Sequence, residues 1–189
     1  MSRLLGQPVH QCYVYPDFDA ALEKFAAGGI GPFFLLGEVG GMGDYRGEQH
    51  EFSAQVAFVY SGDNCFEIIS PKPGGISAYN AFLDLNPHGG LHHIAYMSED
   101  FDATLAMMKD AGMPLEMVVD MRDPETDFQI EIYCEPVGVE NPVLYQFMRP
   151  GLFDAWFDAM RDTAANWDGS EPMRDARPLM AACMAENAA

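Results

Sequence analysis

Basic residues are scarce in this chain: ten Lys and Arg stand against 29 Asp and Glu, giving a net charge of −19 over 189 residues. A duplex needs neutralising cations, so this balance argues against a nucleic-acid partner. It also disfavours a polyanionic substrate unless the few cations, such as Lys72, Arg122 and Arg149, gather in one place. No apolar run approaches the roughly 20 residues of a membrane span, and the opening MSRLLGQPV lacks the apolar core of a signal peptide, so no membrane partner and a cytoplasmic location are expected. The four cysteines, Cys12, Cys65, Cys134 and Cys183, show no CxxC spacing. They indicate neither a disulfide framework nor a thiolate zinc site, and the first three read as small buried strand residues. What is present is a chain with 49% hydrophobic residues, long enough to bury a core without covalent staples.

The chain repeats itself. HQCYVYPDFDAALEKF, from His10, matches HIAYMSEDFDATLAMM, from His93, with His, Tyr, Asp-Phe-Asp-Ala and Leu in register at an offset of 83 residues. CFEIISP, carrying Glu67, matches LYQFMRP, carrying Gln146, at nearly the same offset, which points to duplication of a module. Pro8 to Tyr15 alternates as a strand, with His10, Cys12 and Val14 on one face. Asp17 then caps a helix from Phe18 to about Ala27, closed by Gly28 and Gly29. Strands follow at Pro32 to Val39, Phe52 to Tyr60 and Cys65 to Ser70. The Gly-rich GEVGGMGDYRGEQH between the first two reads as a loop, either a mobile lid or a plain surface connection. Ser77 caps a short helix through Leu85.

The order then recurs: a strand from Leu91, a helix from Phe101 to Ala111, and strands near Leu115 to Val119, Phe128 to Cys134 and Val143 to Met148. The fold class expected is α+β, two tandem βαβββ modules, which the resemblance described below implies form a curved mixed sheet around a metal cleft. Module one covers about 8–71 and module two about 91–150, within one domain of residues 1–150. Residues 151–189 form a C-terminal helical extension: Phe153, Trp156, Phe157 and Met160 fall at helical spacing, an aromatic face for the body or for another subunit. The tail after Trp167 is expected to be partly disordered.

Superposing the repeats puts His10 on His93 and Glu67 on Gln146. Two imidazoles, a carboxylate and an amide oxygen suit one divalent ion of the Zn, Ni, Co, Mn or Fe(II) kind, and each sits on a strand. Glu67 is the informative member, because a carboxylate inside the apolar run CFEIIS needs a cation or hydrogen bonds to be buried.

His10 in VHQCYVYPDFDAA, Glu67 in CFEIISP, the stretch SAYNAFLDLNPHGGLHHIAY with His93, and Gln146 in PVLYQFM together resemble the vicinal oxygen chelate superfamily, most closely its methylmalonyl-CoA epimerase and glyoxalase branch. The resemblance spans about residues 8–150. It implies curved sheets enclosing a metal that leaves a coordination position open to a substrate with adjacent oxygens. Carried over by position, His10, Glu67, His93 and Gln146 are the ligands. The carboxylate of the epimerase set has moved from the last position to Glu67. His92 points to the opposite face and is structural or supports the ligands. The epimerases carry a further carboxylate on the third strand of the first module, where Gln55, Val56 and Ala57 stand here. Glu131, in FQIEIYC of the second module, falls at the repeat mate of Ala57 and is a candidate base from the other side.

The activity expected is proton abstraction alpha to a carbonyl by Glu67 or Glu131 with a metal-stabilised enolate, as in epimerases, isomerases and glyoxalase-type lyases. Two other classes compete. His10, His93 and Glu67 make two histidines and a carboxylate, the set of a non-haem Fe(II) dioxygenase, although the iron-dependent relatives usually place the carboxylate where Gln146 stands. A metal-free small-molecule binding or resistance protein is the third. The partner expected is a small carbonyl compound, a CoA thioester by resemblance or a moderately apolar or aromatic molecule by composition, with a homodimer as the family expectation.

Overall fold

A computed structural model describes residues 4–187, with side chains through Cys183. The order is β1 (His10–Val14), α1 (Phe18–Ala27), β2 (Phe33–Tyr45), β3 (Glu48–Ser61), β4 (Asn64–Pro71), α2 (Ala78–Leu85), β5 (Gly90–Met97), α3 (Phe101–Asp110), β6 (Leu115–Arg122), β7 (Gln129–Pro136), β8 (Leu144–Met148), α4 (Asp154–Ala165), β9 (Met173–Asp175) and α5 (Arg177–Asn187). The fold is α+β, built on one curved mixed sheet of strand order β3-β4-β1-β5-β8-β7-β6-β2-β9, in which β2 also pairs with β3.

The repeat explains this order. Within each half the first strand runs parallel to the last, β1 to β4 and β5 to β8, and β1 meets β5 antiparallel at the centre. His10 lies opposite Ala95 and Cys12 opposite His93, so a pseudo-twofold axis passes between the two strands. The duplicated Asp-Phe-Asp-Ala has one physical job in both halves. Asp17 accepts a hydrogen bond from Ala20 N at 3.0 Å and Asp100 from Ala103 N at 2.9 Å, each capping the helix that follows. Helix α1 buries Ala21 and Leu22 against Phe33, Val59 and Ile68, while Phe101 of α3 joins Ile132 and Phe147.

Two expectations are corrected, and one left with two alternatives is resolved. The Gly-rich segment is not a loop: β2 and β3 continue through it as a long hairpin from Phe33 to Ser61. Its glycines allow close strand approach rather than disorder, as at Gly40, where a Cβ would stand 2.6 Å from Phe52 O. Arg46 and Gly47 turn the hairpin with φ of 54° and 83°, the two positive values of a tight twist-matched turn. The hairpin tip then closes the sheet on itself. Asp44 and Tyr45 pair with Asp120 and Val119 of β6, Arg46 N donates to Val118 O, and the Arg46 guanidinium grips Glu135 of β7 with contacts of 2.7 and 3.1 Å.

The second correction concerns the tail. Residues Met173–Asp175 add β9 parallel to β2 at Phe33–Leu35, and α5 continues to Asn187, because β2 leaves that edge unpaired and α4 offers a packing surface. Of the two surfaces expected to receive the aromatic face of α4, it is the body that does so: Trp156, Phe157 and Met160 are buried beside Phe58 and Tyr60, and the Tyr60 hydroxyl donates to Phe157 O at 3.0 Å. That face is therefore closed to another subunit. No helix among the described residues is long and apolar enough to cross a membrane.

The chain enters β5 through Pro87-His88-Gly89-Gly90. Gly89 has φ of 76°, and a Cβ there would lie 2.4 Å from Val14 O and 2.5 Å from a Tyr15 ring carbon. The first obstacle is backbone of β1 and cannot rotate away. Gly89→Ala is expected to cost about 3 kcal/mol or more, read as a lower urea midpoint, and a loss under 1 kcal/mol would contradict this packing.

Candidate metal centre

The four middle strands, β4, β1, β5 and β8, each contribute one inward side chain: Glu67, His10, His93 and Gln146. All four are buried, from 0% to 8% exposed. His10 Nε2 lies 3.4 Å from His93 Nε2 and 3.4 Å from Glu67 Oε2, and His93 Nε2 is 3.3 Å from the same oxygen. These separations match the edge of a coordination polyhedron, which for bonds of about 2.1 Å is roughly 3.0 Å in octahedral and 3.4 Å in tetrahedral geometry.

Gln146 is the fourth candidate donor. Its Nε2 donates to Glu131 Oε2 at 2.8 Å and to the Tyr133 hydroxyl at 3.0 Å, so the amide nitrogen faces the acceptors and Oε1 faces away. That oxygen, with His10 Nδ1 and Glu67 Oε2, is buried and has no hydrogen-bond partner among the described residues. Such orphans are costly to bury. A divalent ion among two imidazoles, a carboxylate and an amide oxygen would satisfy both Glu67 Oε2 and Gln146 Oε1, so the residues present fit the group.

Electrostatics agree with a ligand role for Glu67. Burial alone would raise its carboxyl, but His10 and His93 beside it prevail and hold it well below the usual carboxylate range. Burial, partly offset by Glu67, lowers His93 and favours its neutral form. Burial and the neighbouring His93 bring His92 down to about 3.

His92 does not point to the opposite face. The ladder shifts register between Cys12 and Tyr13, so that Tyr13 pairs with Leu91 and His92 is the extra residue of a bulge. The bulge brings His92 Nδ1 to 2.9 Å from His93 Nδ1. For His93 Nε2 to offer its lone pair to an ion, its proton must sit on Nδ1, and the neutral His92 is placed to accept it. Cys12 lies between Glu67 and His93 in the ladder, and burial followed by the Glu67 charge pushes its thiol well above the ordinary value, which keeps it protonated.

Glu131 approaches from the second module. Sheet pairing places it opposite Met148, two residues beyond Gln146, just as Val56 stands opposite Ile69, two beyond Glu67. Its repeat mate is therefore Val56, not Ala57, whose side chain points away from the cavity. Burial and then the Glu67 charge push Glu131 up to about 7, against the pull of Gln146 and Tyr133. Two partners escape a reading of sequence: the Tyr79 hydroxyl on α2, 3.0 Å from the Tyr133 hydroxyl, and the α4 ring of Phe157, stacked on His10 at 5.9 Å. Tyr133 shares the alternation of Glu131 and could have been found. Tyr79 and Phe157 lie outside the repeat and carry no such signal. The cluster opens onto a cavity of about 330 Å³ lined by Glu131, Tyr133, Phe58 and Trp156 among others.

Residues 9–130 match the model of the Glyoxalase/Bleomycin resistance protein/Dioxygenase superfamily. The chain belongs to this superfamily. Among curated proteins, it is 30% identical over 109 residues to an ethylmalonyl-CoA/methylmalonyl-CoA epimerase of Cereibacter sphaeroides, covering 58% of this chain and 73% of the relative. Among solved structures, a mutant 4-hydroxymandelate synthase of Streptomyces coelicolor superposes with a TM-score of 0.50 at 14% identity, over 76% of this chain and 48% of that one. Methylmalonyl-CoA epimerase of Mycobacterium tuberculosis gives 0.49 at 17% identity, over 80% and 92%.

Purified without a histidine tag, this superfamily member is expected to carry about one divalent ion per chain by elemental analysis. His92→Phe should lower its metal affinity by about 10–100-fold through the lost support of His93. A chain free of stoichiometric metal, or an unchanged His92→Phe affinity, would contradict the arrangement.

Proposed function

We propose that the protein is a divalent-metal-dependent enzyme that moves a proton at a carbon alpha to a carbonyl, as an epimerase or isomerase, or in a glyoxalase-type rearrangement. The observation that carries this reading is the position of Glu131: a carboxylate on the cavity wall, hydrogen-bonded to the amide whose other end joins the two-histidine, one-carboxylate cluster. The likeness to an epimerase acting on malonyl-type CoA thioesters supports the same class.

Lewis acidity toward an oxygen on which negative charge develops is the chemistry a divalent ion supplies at such a cluster. His10, Glu67, His93 and Gln146 would hold the ion, with Glu67 kept ionised by its two imidazoles. Glu131 is the base. It faces the cavity while Glu67 stands between both histidines, so Glu131 Oε1 or Oε2 takes the alpha proton and delivers it to the adjacent carbon of the enolate, the transfer of an isomerase or a glyoxalase-type rearrangement. Gln146 fixes one carboxylate oxygen, and the Tyr133 hydroxyl, 3.5 Å from the other, is itself held by Tyr79.

His10, His93 and Glu67 also form the donor set of a non-haem iron oxygenase. The fourth donor at Gln146 and the adjacent Glu131 favour proton transfer, and turnover under strictly anaerobic conditions separates the two readings. The homodimer expected by resemblance would have to use a face other than that of α4.

Incubation in deuterated water with a malonyl-type CoA thioester, a hemithioacetal and an aryl α-hydroxyketone is expected to wash deuterium into the alpha position of at least one of them. Glu131→Gln should slow that exchange by about 10²–10⁴-fold with metal content unchanged. Retention of protium through turnover, or full activity in Glu131→Gln, would sink the assignment.

A further inference from the structure

A hydrogen-bonded chain of hydroxyl, carboxyl and amide groups runs along the cavity wall. The Tyr79 and Tyr133 hydroxyls stand 3.0 Å apart, Tyr133 lies 3.5 Å from Glu131 Oε1, and Gln146 Nε2 donates to the Tyr133 hydroxyl at 3.0 Å and to Glu131 Oε2 at 2.8 Å. Tyr79, Tyr133 and Glu131 all line the cavity. Tyr79 is held from two directions. Ser77 caps α2 by accepting from Asn80 N at 3.2 Å, which fixes the turn that carries Tyr79, and the Tyr79 ring packs 5.1 Å from His92 and edge-on to Tyr133 at 88°.

A hydroxyl has one proton to give and two lone pairs to accept with, so this chain has two complete arrangements. With Glu131 ionised, Tyr133 accepts from Gln146 and Tyr79 and donates to Glu131. With Glu131 protonated, Tyr133 accepts from Gln146 and Glu131 and donates to Tyr79. The first arrangement keeps the Tyr79 proton inside the chain. In the second, Tyr79 accepts from Tyr133, its sole hydrogen-bond partner among the described residues, and its own proton turns to the cavity. A proton gained at Glu131 is thereby a proton offered at Tyr79.

We infer that Tyr79 is the acid that returns a proton to the enolate, so that the site inverts a stereocentre and the reaction is an epimerisation. This rests on the proposed function for its first half, in which Glu131 takes the alpha proton. Glu131 by itself serves one face of the substrate, and inversion needs a donor at a second point, which α2 supplies. A carbon flanked by two oxygens, each at the roughly 3–3.5 Å of a near-attack contact, spans the same gap as the two contacts from Glu131 through Tyr133 to Tyr79. The balance closes in one pass. The carbon–hydrogen bond breaks toward Glu131, Glu131 passes a proton to Tyr133, Tyr133 passes its own to Tyr79, and Tyr79 forms the new carbon–hydrogen bond. Both phenols end neutral and the carboxylate is restored. The reverse passage, from Tyr79 to Glu131, handles the other epimer.

The test uses the purified full chain in deuterated water with single stereoisomers of methylmalonyl-CoA and of 2-hydroxy-1-phenylpropan-1-one, following inversion and the deuterium content of each isomer separately. The wild-type protein should invert at least one probe and place deuterium in the inverted isomer. Tyr79→Phe should slow inversion by about 10²-fold or more, while deuterium still enters the starting isomer within several-fold of the wild-type rate, because Glu131 is intact. Tyr133→Phe, which cuts the chain at its middle, should show the same split, with a urea midpoint reading the fold of each variant. A purely structural role for the phenols would lower exchange and inversion together in folded variants; that result, or inversion at the wild-type rate in Tyr79→Phe, overturns the inference. Wild-type exchange without inversion of either probe also overturns it and leaves the proposed function standing, whereas no exchange in the wild type overturns both.

Discussion

The site turns on one buried carboxylate. Glu67 is 8% exposed, ionised, and packed between two imidazoles on neighbouring strands. A charge in that position is tolerable only with compensation, and removing one member of a buried charged set typically costs about 3–5 kcal/mol. The sheet supplies the compensation by topology: β1 sits between β4 and β5, so Glu67 and His93 flank Cys12 while His10 reaches in two residues away. The central strand pairing therefore sets both the fold's pseudo-twofold axis and the donor cluster. A slip of one residue in the β1–β5 ladder would turn His10 out of the cavity.

Duplication builds the cluster, and departures from duplication give it chemistry. His10 and His93 are repeat mates and keep the same role. Glu67 and Gln146 are repeat mates that differ in charge: the carboxylate stands 3.3–3.4 Å from the two imidazoles, whereas the amide can both offer an oxygen inward and donate outward to Glu131. Two carboxylates at those mates would leave Glu131 facing a like charge where it now finds a donor. The amide at Gln146 thus lets a second carboxylate stand beside the proposed ligand set without belonging to it.

Much of this was legible in the sequence because it depends on periods and repeats. The β-α-β-β-β order, the Asp17 cap, and the convergence of His10, Glu67, His93 and Gln146 follow from alternation and register alone. What escaped is what breaks a period. The bulge at His92 reverses the face that strict alternation assigns, and it shifts no residue type that would announce it. The glycines of β2 read as loop because propensity scores a residue in isolation, whereas here they serve close approach between paired strands. The tail after Trp167 has little apolar pattern of its own and gains order by pairing with the edge of β2, a tertiary effect invisible locally.

The two halves of the cavity end up unlike each other for a reason that the same register makes plain. On the second module, Tyr133 stands opposite Gln146 and Glu131 two residues on; on the first, Phe58 stands opposite Glu67 and Val56 two residues on. Polar groups able to hold a proton therefore occupy one side, and apolar side chains the equivalent positions on the other. An apolar wall made by Phe58 alone would be shallow. Helix α4 deepens it with Trp156 and Phe157, and the Tyr60 hydroxyl bonded to Phe157 O ties that helix to the strand carrying Phe58. The extension is thus coupled to the first module by the strand that carries both Val56 and Phe58. Val56 offers no acid–base group, so that side is an apolar wall, and the proposed proton transfer has only the Glu131 side on which to act.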